Sequence, residues 1–283
     1  GFPAVTTKKL AFKAVIGELV GFLRGYTSAA DFRALGCNVW DANANKNADW
    51  LANPYRRGED DLGAGIYGSS WRRWEAYKRI SIDNPGQFAD AVSKDYEEIA
   101  RTPGGEIVLM KNIDQLRDVL DKLMHKPTDR RIIFTGWNPA VLDQIALAPC
   151  HSQPVQFNVN VAARELSMVM YQRSADLALG APFNYASSAA LLCLFAHLTG
   201  YKPRFLTWFG ADVHIYEDHV DGVLEQLLRA PMPAPTLTID SRVPRYDGSN
   251  AEEIYAWLDQ VEPSDFKLTG YQHHAPIKLN MAV

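Results

Sequence analysis

The chain has 283 residues, 47% of them hydrophobic, which is enough to form one large domain or two small ones. Its 29 lysines and arginines stand against 33 acidic residues, and a net charge of −4 excludes a general attraction to nucleic acid or to an anionic membrane. Cys37, Cys150 and Cys193 lie far apart without a CxxC pair, which argues against a disulfide framework or a zinc site and favours a reducing cytoplasm. The longest apolar run, residues 186–198, is too short and too polar to span a membrane.

A helical repeat of apolar residues begins the chain. Val15, Leu19 and Leu23 recur at helical spacing within residues 9–25, which predicts a helix that faces the core. Glu18 falls on the flank of this apolar stripe. We therefore expect Glu18 to be half-buried and to have a specific task.

Two less regular segments and a second helix follow. Residues 45–65 are rich in Asn, Asp, Gly and Pro and predict a loop, with Trp40 before it and Tyr67 after it. Residues 75–105 have weak patterning, which indicates a surface insertion. A stripe of leucine and valine then predicts a helix over residues 113–125.

Strand-like segments dominate the chain after residue 130, and helices precede and interrupt them without a regular βαβ alternation. This order favours an α+β fold, with a mixed β-sheet packed against helices in a single domain over residues 1–283. The predicted strands are residues 130–134, 155–159, 166–171 and 205–216. The predicted helices are a buried one over residues 186–199 and two later ones over 217–229 and 251–261.

Cys150 differs from the other cysteines in its setting. It follows an Ala-Pro turn, has His151 beside it and precedes a strand, an arrangement that can present a nucleophile at the edge of a sheet. A nearby Arg173 would lower the pKa of the thiol and increase the thiolate fraction. The alternative is a small buried thiol of structural value only, which is our interpretation of Cys193.

Polar residues downstream of Cys150 could recognise an anionic, amide-bearing ring. Arg173 and Ser174 end an apolar strand and offer the donors that a phosphate accepts. Asn184 carries both a donor and an acceptor and could pair with a uracil-like imide, although asparagine is also a common turn residue. His214 and Tyr216 lie two apart on a predicted strand and could hold a sugar hydroxyl, or could be ordinary structural residues.

Eleven blocks of residues, in the correct order, make the chain resemble the thymidylate synthase family. They are GFPAVTTKK at residues 1–9, GELVGFL at 17–23, VWD at 39–41, YG at 67–68, RRII at 130–133, WN at 137–138, APCH at 148–151, YQRSAD at 171–176, PFN at 182–184, DVHIY at 212–216 and MAV at 281–283. The resemblance runs almost from end to end. It implies a homodimer that forms through the sheet.

The resemblance also implies a reaction, the reductive methylation of dUMP to dTMP, with 5,10-methylenetetrahydrofolate as both carbon donor and reductant. Cys150 resembles the nucleophile that adds to C6 of the uracil. Glu18 resembles the carboxylate that moves protons through water at O4 of the pyrimidine and N5 of the folate. Tyr67 would assist proton removal at C5, and His151 and Asp176 complete the catalytic set that the resemblance implies.

Further positions match the family's binding residues. Those for dUMP are Arg130, Arg131, Arg173, Ser174, Asn184, His214 and Tyr216. Those for the folate are Lys8, Trp40, Asp176 and Val283. Arg130 and Arg131 would reach the phosphate in the other subunit's site, Asn184 would read the uracil edge, and the carboxylate of Val283 would close over the folate. No metal and no nucleic acid are expected.

Several departures from the family pattern lie near these residues. Gly17 and Gly21 replace larger residues on either side of Glu18, which predicts a roomier pocket. The segment after Cys150 is one residue longer than the usual pattern, through residues 152–154. A preceding segment with another phosphate-binding arginine is expected to be missing from this sequence.

Three other functions are compatible with parts of the sequence. A dUMP 5-hydroxymethylase of the same fold would let water capture the methylene intermediate and would release tetrahydrofolate, but Trp40 and the Met281 to Val283 terminus favour hydride transfer. A regulatory or RNA-binding module with this fold would be expected to lack Cys150 or Asn184, and this sequence keeps both residues. A cysteine–histidine hydrolase would act without folate.

Overall fold

A four-stranded sheet covered by a long buried helix organises the fold in the computed structural model, which describes residues 1–281. In spatial order the strands are β4 (Ile133–Phe134), β5 (Val155–Asn160), β6 (Glu165–Asp176) and β7 (Lys202–His214). The first three pair antiparallel, whereas β6 and β7 are parallel. A parallel pair needs a crossover, and helix α8 (Gly180–Thr199) supplies it.

Helix α8 is buried on nearly all sides because its residues are small or apolar around the whole circumference. The Asp176 carboxylate accepts hydrogen bonds from the amides of residues 178–180 and so satisfies free N–H groups where the helix begins. Gly200, at φ 75°, ends the helix in the left-handed conformation that glycine adopts without strain. These ends fix where the chain leaves β6 and enters β7.

Helix α1 (Phe12–Leu23) packs against α8 and against α5 (Tyr67–Arg72). The remaining helices are α2 (Ala29–Ala34), α3 (Asp41–Asn45), α4 (Ala48–Leu51), α7 (Gln115–His125), α9 (Val220–Leu227) and α10 (Ala251–Gln260). A small antiparallel sheet pairs β8 (Thr236–Ile239) with β9 (Phe266–Thr269). Short 3-10 helices lie at Pro139–Gln144, Glu217–His219 and Pro263–Asp265.

The weakly patterned segment after residue 74 forms a small α/β unit that extends to residue 113. It contains β1 (Trp74–Ser81), α6 (Pro85–Val92), β2 (Glu97–Arg101) and β3 (Glu106–Ile113), in the sheet order β1-β3-β2. Its own small core consists of Ile80, Ala91, Ile107 and Leu109. All of β2 is exposed, which explains why the sequence there has no clear apolar period.

The mixed α+β fold expected from the sequence is confirmed, but several element bounds differ. The strand predicted over 130–134 pairs only at residues 133–134, because the preceding arginines remain in solvent. The buried helix begins at residue 180 rather than 186, since Asp176 starts it earlier than its apolar run suggests. The predicted loop over 45–65 contains the short helix α4. Within residues 1–281, no helix has the length and apolarity to cross a membrane.

Replacement of Gly68 by alanine tests the contact between α1 and α5. A Cβ at Gly68 would lie 2.2 Å from the carbonyl oxygen of Phe22 and 2.3 Å from its Cα, so backbone must move. We expect Gly68→Ala to lower the free energy of unfolding by about 3 kcal/mol, as measured by urea denaturation. In the control Gly86→Ala the nearest atom is 3.8 Å away, and the change should stay within about 1 kcal/mol. Equal stabilities of the two variants would contradict the described packing.

Candidate active site

Glu18 is a buried carboxylate at the centre of helix α1. Only 4% of the residue is exposed, so the expectation of a half-buried side chain was wrong. The indole Nε1 of Trp40 donates to Glu18 Oε1 at 3.0 Å, whereas Oε2 has no partner among residues 1–281. Burial raises the pKa of Glu18 to about 8, and the Trp40 hydrogen bond only partly opposes this shift. Glu18 therefore holds a proton at neutral pH and has one oxygen free to exchange it.

Tyr67 joins helix α5 directly to the candidate nucleophile. The Cys150 amide donates to the Tyr67 hydroxyl oxygen at 2.6 Å, and the hydroxyl lies 3.2 Å from Cys150 Sγ. Phe22 stacks on the Tyr67 ring with centroids 5.0 Å apart and an interplanar angle of 3°. Burial raises the pKa of Tyr67 well above its ordinary value, so the phenol stays protonated and donates to sulfur.

The charge state of Cys150 reflects several opposing effects. Burial is the largest and raises the pKa of the thiol, and the Glu18 carboxylate acts in the same direction. The Tyr67 hydrogen bond and the positive charge of Arg173 lower the pKa, but they do not overcome burial. The expected effect of Arg173 is thus present, while the net result is a resting thiol rather than a thiolate.

His151 lies beside Cys150 but faces the core. Its ring packs 5.0 Å from the Tyr67 ring, and Nδ1 lies 3.0 Å from the Ser152 hydroxyl. Burial lowers the pKa of His151 to about 4, so the imidazole is neutral at physiological pH. No described contact joins the ring to the sulfur, and its geometry is that of a packing residue behind the thiol.

Arg173 and Ser174 reach the nucleophile through the backbone of β6. The Arg173 amide donates to the Cys150 carbonyl oxygen at 2.7 Å, and the Ser174 amide approaches the same oxygen at 3.4 Å. The exposed Arg173 guanidinium lies 5.6 Å from the centre of the Trp137 ring. This cation is therefore placed at the mouth of the site, free to meet an anion.

Asn184 lies in the first turns of α8 and is almost fully buried, with 9% of the residue exposed. Its Oδ1 accepts a hydrogen bond from Gln172 Nε2 at 2.9 Å. Gln172 also contacts Ser174 and Trp208. Asn184 is thus part of a polar chain on the same side of the sheet as α8.

Two of the positions matched to the folate site, Lys8 and Asp176, lie around the start of α8, whereas Trp40 contacts Glu18 on α1. Lys8 is buried and donates to the carbonyl oxygen of Ala178, and burial lowers the pKa of its ammonium group, with Asp176 opposing the shift. Asp176 is half-buried because its carboxylate also binds the first amides of α8. Val283 lies outside the described residues.

His214 and Tyr216 lie at the end of β7 and just beyond it. The strand ends at His214, so the two residues do not share a strand, but their rings meet edge to face at 5.1 Å. Fully buried His219 packs against Tyr216 and donates from Nε2 to the carbonyl oxygen of Asn280 at 2.7 Å. Asp218 accepts from Asn280 Nδ2 at 3.2 Å, so this corner also holds the C-terminal segment.

Arg130 and Arg131 are not brought to Cys150 by any described contact. They lie on the surface with Lys126, Thr128 and Asp129 around a shallow depression. Arg131 forms a two-pronged pair with Asp129 at 3.0 and 2.9 Å, while 83% of its side chain remains exposed. Both arginines face solvent in the described chain.

The predicted extra room beside Glu18 is absent. A Cβ on Gly17 would lie 2.6 Å from the Leu35 carbonyl oxygen, and one on Gly21 would lie 2.3 Å from the Phe32 ring. Other parts of this chain therefore fill the space that the glycines leave. The expectation of a roomier pocket was wrong because the sequence pattern did not show which segments pack against α1.

Some of the residues that shape the site had no sequence signal of their own. Phe22 looked like one more apolar residue of α1, yet it supports the Tyr67 ring, and Trp137 was only part of a matched block. The Trp208 contact to Gln172 joins residues 36 positions apart, which no local pattern indicates. Among residues 1–281, no three His, Cys, Asp or Glu side chains group as a metal centre requires.

Replacement of Glu18 by glutamine tests whether the buried carboxyl group is protonated. Between its ordinary pKa of 4.5 and the folded value of about 8, the folded protein keeps a proton that the unfolded chain has released. The free energy of unfolding should therefore fall as pH rises through this window. We expect Glu18→Gln to remove this fall and to be more stable than wild type at the alkaline end by about 2 kcal/mol, measured by urea denaturation.

The control is Glu97→Gln on the exposed strand β2, which removes a carboxylate without changing the buried site. It should keep the wild-type pH dependence. If Glu18→Gln also kept that dependence, the protonated state of Glu18 would be refuted.

Comparison with known proteins gives one consistent family. A family model described as thymidylate synthase matches residues 1–283. A thymidylate synthase from Bordetella parapertussis is 53% identical over 286 residues, which cover 100% of this chain and 88% of the relative. One from Pseudomonas putida has the same identity and coverage. One from Haemophilus influenzae is 38% identical, and the match covers 100% of this chain and 85% of the relative. The chain belongs to the thymidylate synthase family.

Proposed function

We propose that the chain has thymidylate synthase activity and converts dUMP to dTMP with 5,10-methylenetetrahydrofolate, which leaves as dihydrofolate. The observation that carries this proposal is the contact of Tyr67 with Cys150 Sγ at 3.2 Å, beside the cation of Arg173. Together they provide a soft nucleophile, a donor on sulfur and an anchor for an anion. Conjugate addition to a pyrimidine nucleotide requires these groups.

Cys150 is the proposed nucleophile. Sulfur adds to C6 of the uracil, the C5–C6 double bond opens, and its electrons move toward C5 and O4. The thiol proton passes to O4 of the ring, through water, as the bond forms, and Tyr67 and Arg173 stabilise the sulfur while it carries negative charge. C5 thereby becomes able to attack an electrophilic carbon.

Glu18 is the proposed proton carrier. Its pKa of about 8 means that both protonation states are accessible near neutral pH, as efficient acid–base catalysis requires. The unpartnered Oε2 can bind a water that reaches the ring oxygen O4. Tyr67, bound to sulfur on one side and packed on Phe22, lies close enough to join the same water network during proton loss from C5.

The folate is a proposed co-substrate that would supply the one-carbon unit and the hydride. The buried Oε2 of Glu18 has no protein partner, which fits a site that is completed by a polar ligand or its water. Lys8 and Asp176 add charged groups near the start of α8, and Trp40 holds Glu18 in place. Val283 keeps its proposed role as a terminal carboxylate over this ligand.

The nucleotide would span from Arg173 to Asn184. Arg173 and Ser174 would hold the 5′-phosphate, Asn184 would pair with the uracil, and His214 and Tyr216 would bind the 3′-hydroxyl. The exposure of the Arg173 side chain and the burial of Asn184 support a ligand whose charged end faces out and whose base faces in.

A dUMP 5-hydroxymethylase is not favoured, because the relatives described above carry the name thymidylate synthase over the whole chain. Release of dihydrofolate distinguishes the two reactions, since the hydroxymethylase would release tetrahydrofolate.

Trapping with 5-fluoro-dUMP tests the nucleophile. Fluorine replaces the C5 hydrogen that must leave as a proton, so we expect a stable adduct of protein, nucleotide and methylenetetrahydrofolate, detected by intact mass. Cys150→Ser should abolish it. The control Cys193→Ser should form it normally, because Cys193 lies in α8 with a pKa raised by burial to about 11. Folded wild-type protein that formed no adduct, or an adduct on Cys150→Ser, would contradict the assignment.

We also propose a homodimer that forms through the outer face of the main sheet. The face opposite α8 exposes Val169, Phe205, Phe209 and Val213, each between 42% and 59% exposed. Tyr171 stacks on Phe209 at 5.6 Å and extends the same apolar surface. A flat apolar face of this kind is typical of obligate interfaces. Within the dimer, Arg130 and Arg131 would complete the partner's phosphate site.

Mixed dimers test this sharing. Cys150→Ser protein keeps its arginines, and Arg130→Ala/Arg131→Ala protein keeps its nucleophile, so a mixed dimer has one complete site. Random reassortment of equal amounts should restore about a quarter of wild-type activity, measured as dihydrofolate release. Mixing Cys150→Ser with Cys150→Ala is the control and should restore none. Activity that never exceeded the sum of the separate proteins would refute shared sites.

We propose, finally, that residues 1–283 form one domain of a cytoplasmic enzyme. Cys37, Cys150 and Cys193 are all free thiols, which suits a reducing compartment. The main core includes residues from both ends of the described chain, from Phe2 to Phe266. This continuity supports a single unit, from which the small sheet of β1, β2 and β3 projects.

A further inference from the structure

A chain of hydrogen bonds on the inner side of the main sheet ends at Asn184. Trp208 Nε1, on β7, donates to Gln172 Oε1 at 2.8 Å. Gln172 Nε2, on β6, then donates to Asn184 Oδ1 at 2.9 Å and to the Ser174 carbonyl oxygen at 3.1 Å. Gln172 is 1% exposed, so water does not compete for these bonds.

The chemistry of the groups at its ends determines the direction of this chain. An indole N–H can only donate, and a backbone carbonyl can only accept. Trp208 therefore requires the oxygen of Gln172 on its side, and the Ser174 carbonyl requires the nitrogen on the other. Both hydrogens of Gln172 Nε2 are then used, one by Ser174 and one by Asn184.

Asn184 consequently has one favourable amide orientation. Its Oδ1 must face Gln172, because a reversed amide would set two N–H donors against each other in a buried place. Its Nδ2 donates to no residue among 1–281 and remains accessible to solvent. Asn184 thus offers a free donor together with the remaining lone pair of Oδ1.

This orientation distinguishes the two pyrimidines that differ only at this edge. Uracil presents an acceptor at O4 and a donor at N3, which match the Nδ2 donor and the Oδ1 lone pair. Cytosine presents a donor at N4 and an acceptor at N3, so it would need the reversed amide. Reversal would break the bond to Gln172, and this cost is what discriminates against cytosine.

We propose that Trp208 is a specificity-determining positioning residue, which selects uracil over cytosine through Gln172 by fixing the amide of Asn184. The inference rests on the proposed function, in which Asn184 binds the base. Trp208 does not touch the substrate. Its indole N–H and the Ser174 carbonyl oxygen together fix the Gln172 amide, and the orientation of the Asn184 amide follows from that of Gln172.

The test compares the dissociation constants of dUMP and dCMP by calorimetry for wild type and Trp208→Phe, which keeps an aromatic ring but loses the N–H. We expect the preference for dUMP to fall by about tenfold, because only the Ser174 carbonyl oxygen would then oppose a joint reversal of the Gln172 and Asn184 amides. The matched control is Trp257→Phe, whose Nε1 is buried without a partner among residues 1–281. Its preference should equal that of wild type.

A second variant, Gln172→Leu, interrupts the same chain one step nearer the base. It should reduce the preference at least as much as Trp208→Phe, and the double variant should show no further loss, since both changes break one pathway. Losses that multiplied in the double variant would overturn the proposal. An unchanged preference for dUMP in Trp208→Phe would also overturn the proposal. This result would be decisive even if Gln172→Leu failed to fold.

The failures of the two proposals give different results. Wild-type protein that bound neither nucleotide would refute the proposed function and, with it, the positioning role of Trp208. If wild-type protein preferred dUMP and Trp208→Phe preferred it equally, only the positioning role of Trp208 would be refuted.

Discussion

Burial of the groups around Cys150 is the constraint on which the rest of this site depends. The same desolvation raises the pKa of Cys150, Tyr67 and Glu18 and lowers that of His151, so all four prefer their neutral forms. A polar cluster can be buried in this way only if it carries little charge or is fully paired. The fold provides that condition by surrounding the cluster with α1, α5 and the end of β6.

The geometry around Cys150 and Glu18 is built by aromatic packing rather than by ion pairs. Phe22 stacks on Tyr67 and meets Trp40 edge to face at 6.0 Å, so one α1 side chain orients both the phenol on sulfur and the indole on Glu18. The close approach of Gly68 to the Phe22 backbone brings α5 near enough for this contact. The contacts that stabilise the core therefore also position Tyr67 against Cys150.

Sequence reasoning predicted the parts of the site that local pattern can carry. The helical stripe around Glu18 and the setting of Cys150 indicated residues that the structure brings together around Tyr67, and the order of the predicted elements indicated the α+β class. Burial depth was not predictable in this way, because it depends on segments such as Phe32 and Leu35 that fold over α1. The net pKa of Cys150 was missed for the same reason: the sequence shows that Arg173 is present but not how much water is excluded.

Neutral groups around Cys150, with the cation of Arg173 at their exposed side, give the site its direction. The Arg173 side chain lies at the exposed end, while burial favours the uncharged forms of Cys150, Glu18 and His151. In the proposed complex, Arg173 would attract the charged end of an anionic ligand, and the neutral base would lie toward Asn184. Buried hydrogen bonds then decide which base fits, since a donor facing a donor is costly where water cannot relieve it. Charge thus orients the ligand, and hydrogen-bond polarity selects it.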